Sequence, residues 1–355
     1  MPKELTHILF ADALLDDLRG TTRDDVASLL KRHRPTLHFG SITTDTLYYE
    51  LTFPIIDRDY AHWGEIIHGG QGEDTGTPIR EMLRRLQNRR PNVEDDARFA
   101  FICGFLSHMA LDIVFHPWVY AVTGPYYDPD PDKQADSQMC HRLVESWLDL
   151  LMLQRFEKTR NNFDPLKAIR ANSMTNLDCL DFFAESFRSA WRIEGDVRRY
   201  LRRFHTVQML LGRLFPSPSA TMAVAFLNRL SKGRLRAFTA LFYPTRPERM
   251  PAGLFEFQNF RHPVTGQTID STLDQLWSEA RELGARLLVT AANIRAGEAS
   301  ESLDAILEGR SLNIGLSKTP SDRAVHFDIF PVERMWGYPG PAAGMAPDPK
   351  LTLPQ

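Results

Sequence analysis

The run GFLSHMALDIVFHP, residues 104–117, constrains this chain more than any other part of it. From Phe99 to Val119 the sequence is apolar enough for a buried helix, yet His108, Asp112 and His116 fall at i, i+4 and i+8 and stack along one helical face. Three ionisable groups on one face argue against a bilayer span, so the run reads as the core helix of a soluble protein without a transmembrane segment. Burying two imidazoles and a carboxylate together costs several kcal/mol unless their charge is paired or coordinated. A divalent metal ion is the expected partner. Pro117 directly follows His116 and predicts that the helix ends there, with His116 projecting into a cavity.

A second pair, His141 and Glu145 in CHRLVESWLDLL, again lies one turn apart, on a helix whose apolar side is Leu143, Val144, Trp147, Leu148 and Leu151. Two helices that each offer a histidine and a carboxylate supply the nitrogen and oxygen donors of a multinuclear site, which suits zinc better than a hard metal such as magnesium. Of eleven histidines, eight precede residue 142. Three cysteines, Cys103, Cys140 and Cys179, form an odd set without paired short spacing, so neither a disulfide framework nor a cysteine zinc knuckle is expected.

Apolar residues recur at helical steps over 4–18, 94–116, 138–158, 177–213 and 271–296, and strand-like alternation is nearly absent. The fold class is therefore all-α. Residues 34–78, rich in glycine and in candidate ligands, read as a long irregular connection, and such loops are often functional. TGPYYDPDPDKQAD, 123–136, reads as a non-helical break, with its aspartates spaced wrongly for an EF-hand. LFPSPS (214–219) and PTRPERMPAG (244–253) punctuate the second half. The organisation expected is one all-α metal-binding domain over 1–310, with its ligands within 1–158 and additional helices over 159–310. An extended or disordered tail is expected over 311–355.

HxxxDxxxH after an apolar GFLS run, followed by HRLVE on the next helix, resembles the zinc-dependent phospholipase C family, especially its intracellular bacterial members. That family is related to single-strand-specific zinc nucleases and is built as a multi-helix bundle with metals in its core. THILFADALLDDL resembles the family's opening helix, FGSITTDTLYY its following loop, and HWGEIIHGG the segment that supplies the next ligand. The resemblance spans residues 4–158, and NFRHPVTGQTIDSTLDQLWSEA (259–280) resembles the start of a later helix. It implies that Asp45, His68, His108 and Asp112 hold one zinc, with His62 in reserve for His68, and that His116, His141 and Glu145 hold another. His7 with Asp112 would form a third site. Secreted members complete that site with the amine of a processed N-terminal tryptophan; no tryptophan precedes His7 here, so two zinc ions are the expectation.

Two such metals activate water for phosphoester hydrolysis, with Asp45, read as a loop residue, also a candidate general base. Asp149, one turn beyond Glu145, is a candidate to orient a histidine through its other ring nitrogen. Tyr48, Tyr49, Phe53 and Trp63 are candidates to line an apolar pocket, and His33 and His38 read as exposed or loop-capping. The substrate expected is a phospholipid or another phosphoester; a soluble phosphodiesterase or nuclease and a non-catalytic structural metal protein are the alternatives. A net charge of -3 provides no overall field for nucleic acid, which stays an alternative partner not indicated by charge, and RRYLRRFH (198–205) reads as a solvated helix face, with phosphate binding as the alternative. The N-terminal residues do not have the order of a signal peptide, which predicts a cytoplasmic protein.

Overall fold

The computed structural model describes residues 3–331 apart from 21–22, 53–62, 88–91, 160–161, 245–247, 249, 252 and 299–301. Among the described residues the regular structure is helical apart from one two-stranded hairpin, so the all-α class holds. In chain order the helices are α1 (Glu4–Leu18), α2 (Asp24–Arg32), α3 (Arg34–Thr46), α4 (Trp63–Ile67), α5 (Thr77–Leu86), α6 (Val93–Thr123) and α7 (Pro131–Arg155). They continue with α8 (Pro165–Ala171), α9 (Ser173–Trp191), α10 (Val197–Leu214), α11 (Pro218–Leu230), α12 (Arg236–Thr239), α13 (Leu273–Ala296) and α14 (Leu303–Leu307).

Helix α6 is the axis around which the others assemble. The Asn92 side chain accepts the Asp95 N–H at 2.8 Å, acidic residues 94–96 meet the positive end of the helix, and Gly124 at φ 93° stops it. It is long and apolar enough to cross a membrane, yet every residue from Phe99 to Thr123 is buried inside the bundle, chiefly against α3, α13 and α1. The helix does not end at His116 but runs on through Pro117. Proline leaves the Ile113 carbonyl without its helical partner. Gly315 packs into the notch, where a β-carbon would meet Ile113 O at 2.7 Å and Pro117 Cγ at 3.3 Å.

The region 34–78 is not one irregular connection, since α3, α4 and α5 lie within it. Residues 36–46 are all buried, so α3 has no polar stripe and its periodicity is invisible in the sequence. Its glycine serves contact rather than turning. A β-carbon at Gly40 would lie 2.1 Å from the Phe101 carbonyl oxygen, and one at Gly104 2.1 Å from that of Leu37, so α3 and α6 touch backbone to backbone. The break at 123–136 is likewise shorter than expected, because Asp130 caps α7 and Pro131 occupies its first turn.

On the far side, Thr272 and Gln275 form a capping box at the start of α13, after the hairpin β1 (Asn259–Arg261) and β2 (Thr268–Asp270). Residues 311–331 do not hang free: Leu312 and Ile314 are fully buried, and the Ser321 N–H reaches the Gly70 carbonyl at 2.8 Å. Residues 332–355 lie outside the described residues.

Candidate metal centre

Five elements converge on the polar face of α6. α1 brings His7, the last turn of α3 brings Asp45, the end of α4 brings His68, α6 itself brings His108, Asp112 and His116, and α7 brings His141 and Glu145. Asp45 therefore ends a buried helix instead of lying in a loop. The donor atoms of Asp45, His68, His108 and Asp112 lie within 4.8 Å of one another, and so do those of His116, His141 and Glu145.

In the first group, Asp45 Oδ1 is 3.3 Å from His108 Nε2 and 3.5 Å from His68 Nε2, while Asp112 Oδ2 is 2.9 Å and 3.9 Å from the same two nitrogens. A tetrahedron of zinc ligands at about 2.0–2.1 Å has edges of about 3.3 Å. In the second group His141 Nε2 and His116 Nε2 lie 3.0 Å and 3.9 Å from Glu145 Oε1. Asp112 joins the two: its other oxygen, Oδ1, is 3.8 Å from His116 Nε2 and 3.4 Å from His7 Nε2. His7 stacks on the His108 ring at 3.8 Å but belongs to neither group of mutually close donors.

The histidine tautomers follow from the backbone. Nδ1 of His68 lies 2.7 Å from the Gly64 carbonyl oxygen, Nδ1 of His108 2.9 Å from that of Ser41, and Nδ1 of His116 2.6 Å from that of Leu312. A carbonyl only accepts, so each Nδ1 carries the hydrogen and each Nε2 presents a lone pair to the cluster. Those three nitrogens, Asp45 Oδ1 and both Asp112 oxygens are buried without a hydrogen-bond partner among the described residues. Lone pairs facing carboxylate oxygens repel one another, and a cation in their midst removes the conflict.

Burial pushes His68 down to about 3 and His116 and His141 well below the ordinary imidazole range, leaving neutral rings of the kind metals require. For His108 burial acts the same way, but the Asp112 and Asp45 carboxylates outweigh it and raise the ring. Burial lifts Asp45 to about 6 against the pull of His108.

The carbonyl of Leu312 has no counterpart in the sequence reading. Residues 311–313 form a clasp across the centre: the Leu312 N–H and Ser311 hydroxyl both donate to the His68 carbonyl, at 2.9 and 3.0 Å, while Leu312 O holds His116. Three phenols were also missed, although YY between the two ligand helices is a usable signal. Tyr120 and Tyr126 lie 5.0 and 5.1 Å from the His141 ring, and the Tyr127 hydroxyl donates to Glu65 at 2.9 Å. Tyr48 packs 4.8 Å from the His68 ring, completing an aromatic wall.

Other residues singled out from the sequence lie elsewhere. Among the described residues Asp149 orients no histidine ring; its oxygens accept the Leu5 and Thr6 N–H groups at 3.2 and 2.8 Å, together with the Thr6 and Tyr243 hydroxyls. It thus caps α1 from α7 and fixes the turn that carries His7. His38 is buried, not exposed, with Nε2 2.8 Å from Asp12. Trp63 packs on Phe187, Tyr200 and Phe204, and Tyr49 donates to Glu4. Phe53 and His62 lie outside the described residues. All three cysteines are free and buried.

A family model described as zinc dependent phospholipase C matches residues 6–201, which include every one of these donors. No curated protein and no solved structure matches the chain significantly.

Proposed function

The chain belongs to the zinc dependent phospholipase C family, and from that premise we propose that it hydrolyses phosphodiesters, with a phospholipid as the substrate class. What carries the reading is Asp112, whose two oxygens face two separate buried groups of histidine and carboxylate donors at zinc-like spacings. Asp45, His68, His108 and Asp112 would hold one zinc, and His116, His141 and Glu145 the other. Zinc held there supplies Lewis acidity, easing deprotonation of water and offsetting charge on a phosphoryl group.

The chain's own groups do the rest. Carbonyls of Gly64, Ser41 and Leu312 keep the three rings aimed. Asp45, together with His141 and Glu145, retains a trace of exposure, whereas His68, His108, Asp112 and His116 have none. The centre therefore opens toward Asp45 and α7, and Asp45 is the carboxylate placed to take a proton from an attacking water. Half-buried Tyr126 and Tyr127 stand at that opening with their phenols held protonated by burial; Tyr126 is able to donate to a phosphate oxygen, while Tyr127, whose proton goes to Glu65, offers its ring to an organic substituent.

The test is metal content by plasma mass spectrometry for wild type, His108→Ala and Glu145→Ala, alongside turnover of bis-p-nitrophenyl phosphate. Zinc that falls in both variants, with turnover in the wild type, is expected. Zinc without turnover of any phosphodiester tried would make the centre structural, and no bound metal would remove the assignment altogether.

A further inference from the structure

Between Asp196 and Glu248 the sequence contains no acidic residue and ten arginines or lysines, in a chain whose net charge is -3. Arg198 and Arg202 spend their charge on Asp181 and Glu185 of α9, and Arg236 on Asp132 and Asp136 of α7. Arg213, Arg229, Lys232 and Arg234 are exposed and pair with no carboxylate among the described residues.

Helix α11 lies amid these cations, and its axis is turned by 101° from that of α10. Only Thr221 of its thirteen residues is buried. Met222, Phe226 and Leu230, at i, i+4 and i+8, are 60%, 61% and 65% exposed, and Leu227 beside them is 51% exposed. A surface helix normally turns such a stripe inward; α11 turns it toward solvent.

We propose that α11 docks the protein on an anionic lipid surface, its apolar stripe entering the acyl boundary while Arg229, Lys232 and Arg234 meet the headgroups. Charge decides between occupants. An apolar stripe edged by unpaired cations, with no carboxylate in its own segment, matches anionic headgroups above hydrocarbon. A second copy of the same face would bring like charges together. The location fits as well: α12 follows α11 and lies along the first half of α7, where Arg142 donates to the Ala237 carbonyl beside His141. Docking there places the lipid next to the helix that carries His141 and Glu145. Exposure and charge carry the argument by themselves, and only its point about location rests on the catalytic reading.

The experiment is co-sedimentation of the full chain with vesicles of phosphatidylcholine alone or mixed with phosphatidylserine. It is run for wild type, Phe226→Ser/Leu230→Ser and Arg229→Gln/Lys232→Gln/Arg234→Gln, with circular dichroism as a check on folding. Wild type is expected to bind the anionic vesicles preferentially and to release them in high salt. The serine variant should bind about tenfold more weakly or worse, and the glutamine variant should lose up to about fivefold per charge removed. Turnover of a soluble ester should stay at the wild-type level in both, and an inactive preparation that still binds anionic vesicles leaves the proposal intact. Absence of vesicle binding, or equal binding by all three proteins, would overturn it. So would light scattering that shows a dimer abolished by Phe226→Ser/Leu230→Ser in a protein indifferent to vesicles, which would assign the face to a second copy.

Discussion

Asp112 is the residue on which the most depends, because it is the only donor whose two oxygens face different groups. Asp112→Asn keeps the shape but halves the acceptor strength, and it is expected to bring zinc from about two per chain to less than one. Glu145→Gln removes a ligand of one group alone and should leave about one zinc; equal losses in the two variants would contradict a shared carboxylate. A second residue-scale prediction concerns acid stability. Burial raises the Asp12 carboxyl, but His38 and Arg34 outweigh it and hold it below its ordinary value. A carboxyl with a lower value folded than unfolded adds stability that is complete above about pH 4 and vanishes as pH falls through the folded value. Asp12→Asn should therefore lower the urea midpoint at neutral pH by the equivalent of about 1 kcal/mol, with the two proteins converging as the pH is taken down through the lowered value of Asp12. A gap that persists unchanged into acid would refute the pairing. The donors themselves were legible, since His108, Asp112 and His116 announce themselves by spacing on an otherwise apolar helix. The groups that aim them were not: Ser41, Gly64 and Leu312 act through their carbonyls, which every residue possesses.

Helices show the same division between what spacing reveals and what burial hides. α1, α6, α7 and α13 carry apolar steps or caps that can be read from the chain, although Asp130–Pro131 had to be recognised as a cap and first turn instead of a break. α3 eluded the reading because it is buried on all sides and holds Gly40 in its middle. That glycine, with Gly104, sets how closely α3 approaches α6, and so where Asp45 and the Ser41 carbonyl stand relative to His108. Gly104→Ala places a methyl group against backbone and forces the helices apart, for which about 1–3 kcal/mol of lost stability is expected. Zinc affinity should fall with it. Denaturation with and without zinc measures both, and an alanine variant that binds zinc like wild type would show that the close approach has no bearing on the centre.

For the molecule as a whole, the centre is a joint between its beginning and its end. All seven clustered donors precede residue 146, while residues 311–313 tie His68 to His116 from the other end of the described chain. Zinc that bound only the folded arrangement would add about 4 kcal/mol for each site occupied at a thousandfold excess over its dissociation constant. Chelation should lower the melting temperature by several degrees. A chain ended at Arg310 keeps every donor but lacks the Leu312 carbonyl, and its second zinc should bind about 10–100-fold more weakly in chelator competition. Affinity equal to that of the full chain would show the clasp to be irrelevant. Because Leu312 comes 196 residues after His116, a ribosome releases the histidine long before the carbonyl that aims it exists. A nascent chain thus carries a complete but unsteadied set of donors while it grows from Glu145 to Leu312, and the centre reaches its final geometry only after Leu312 has been translated.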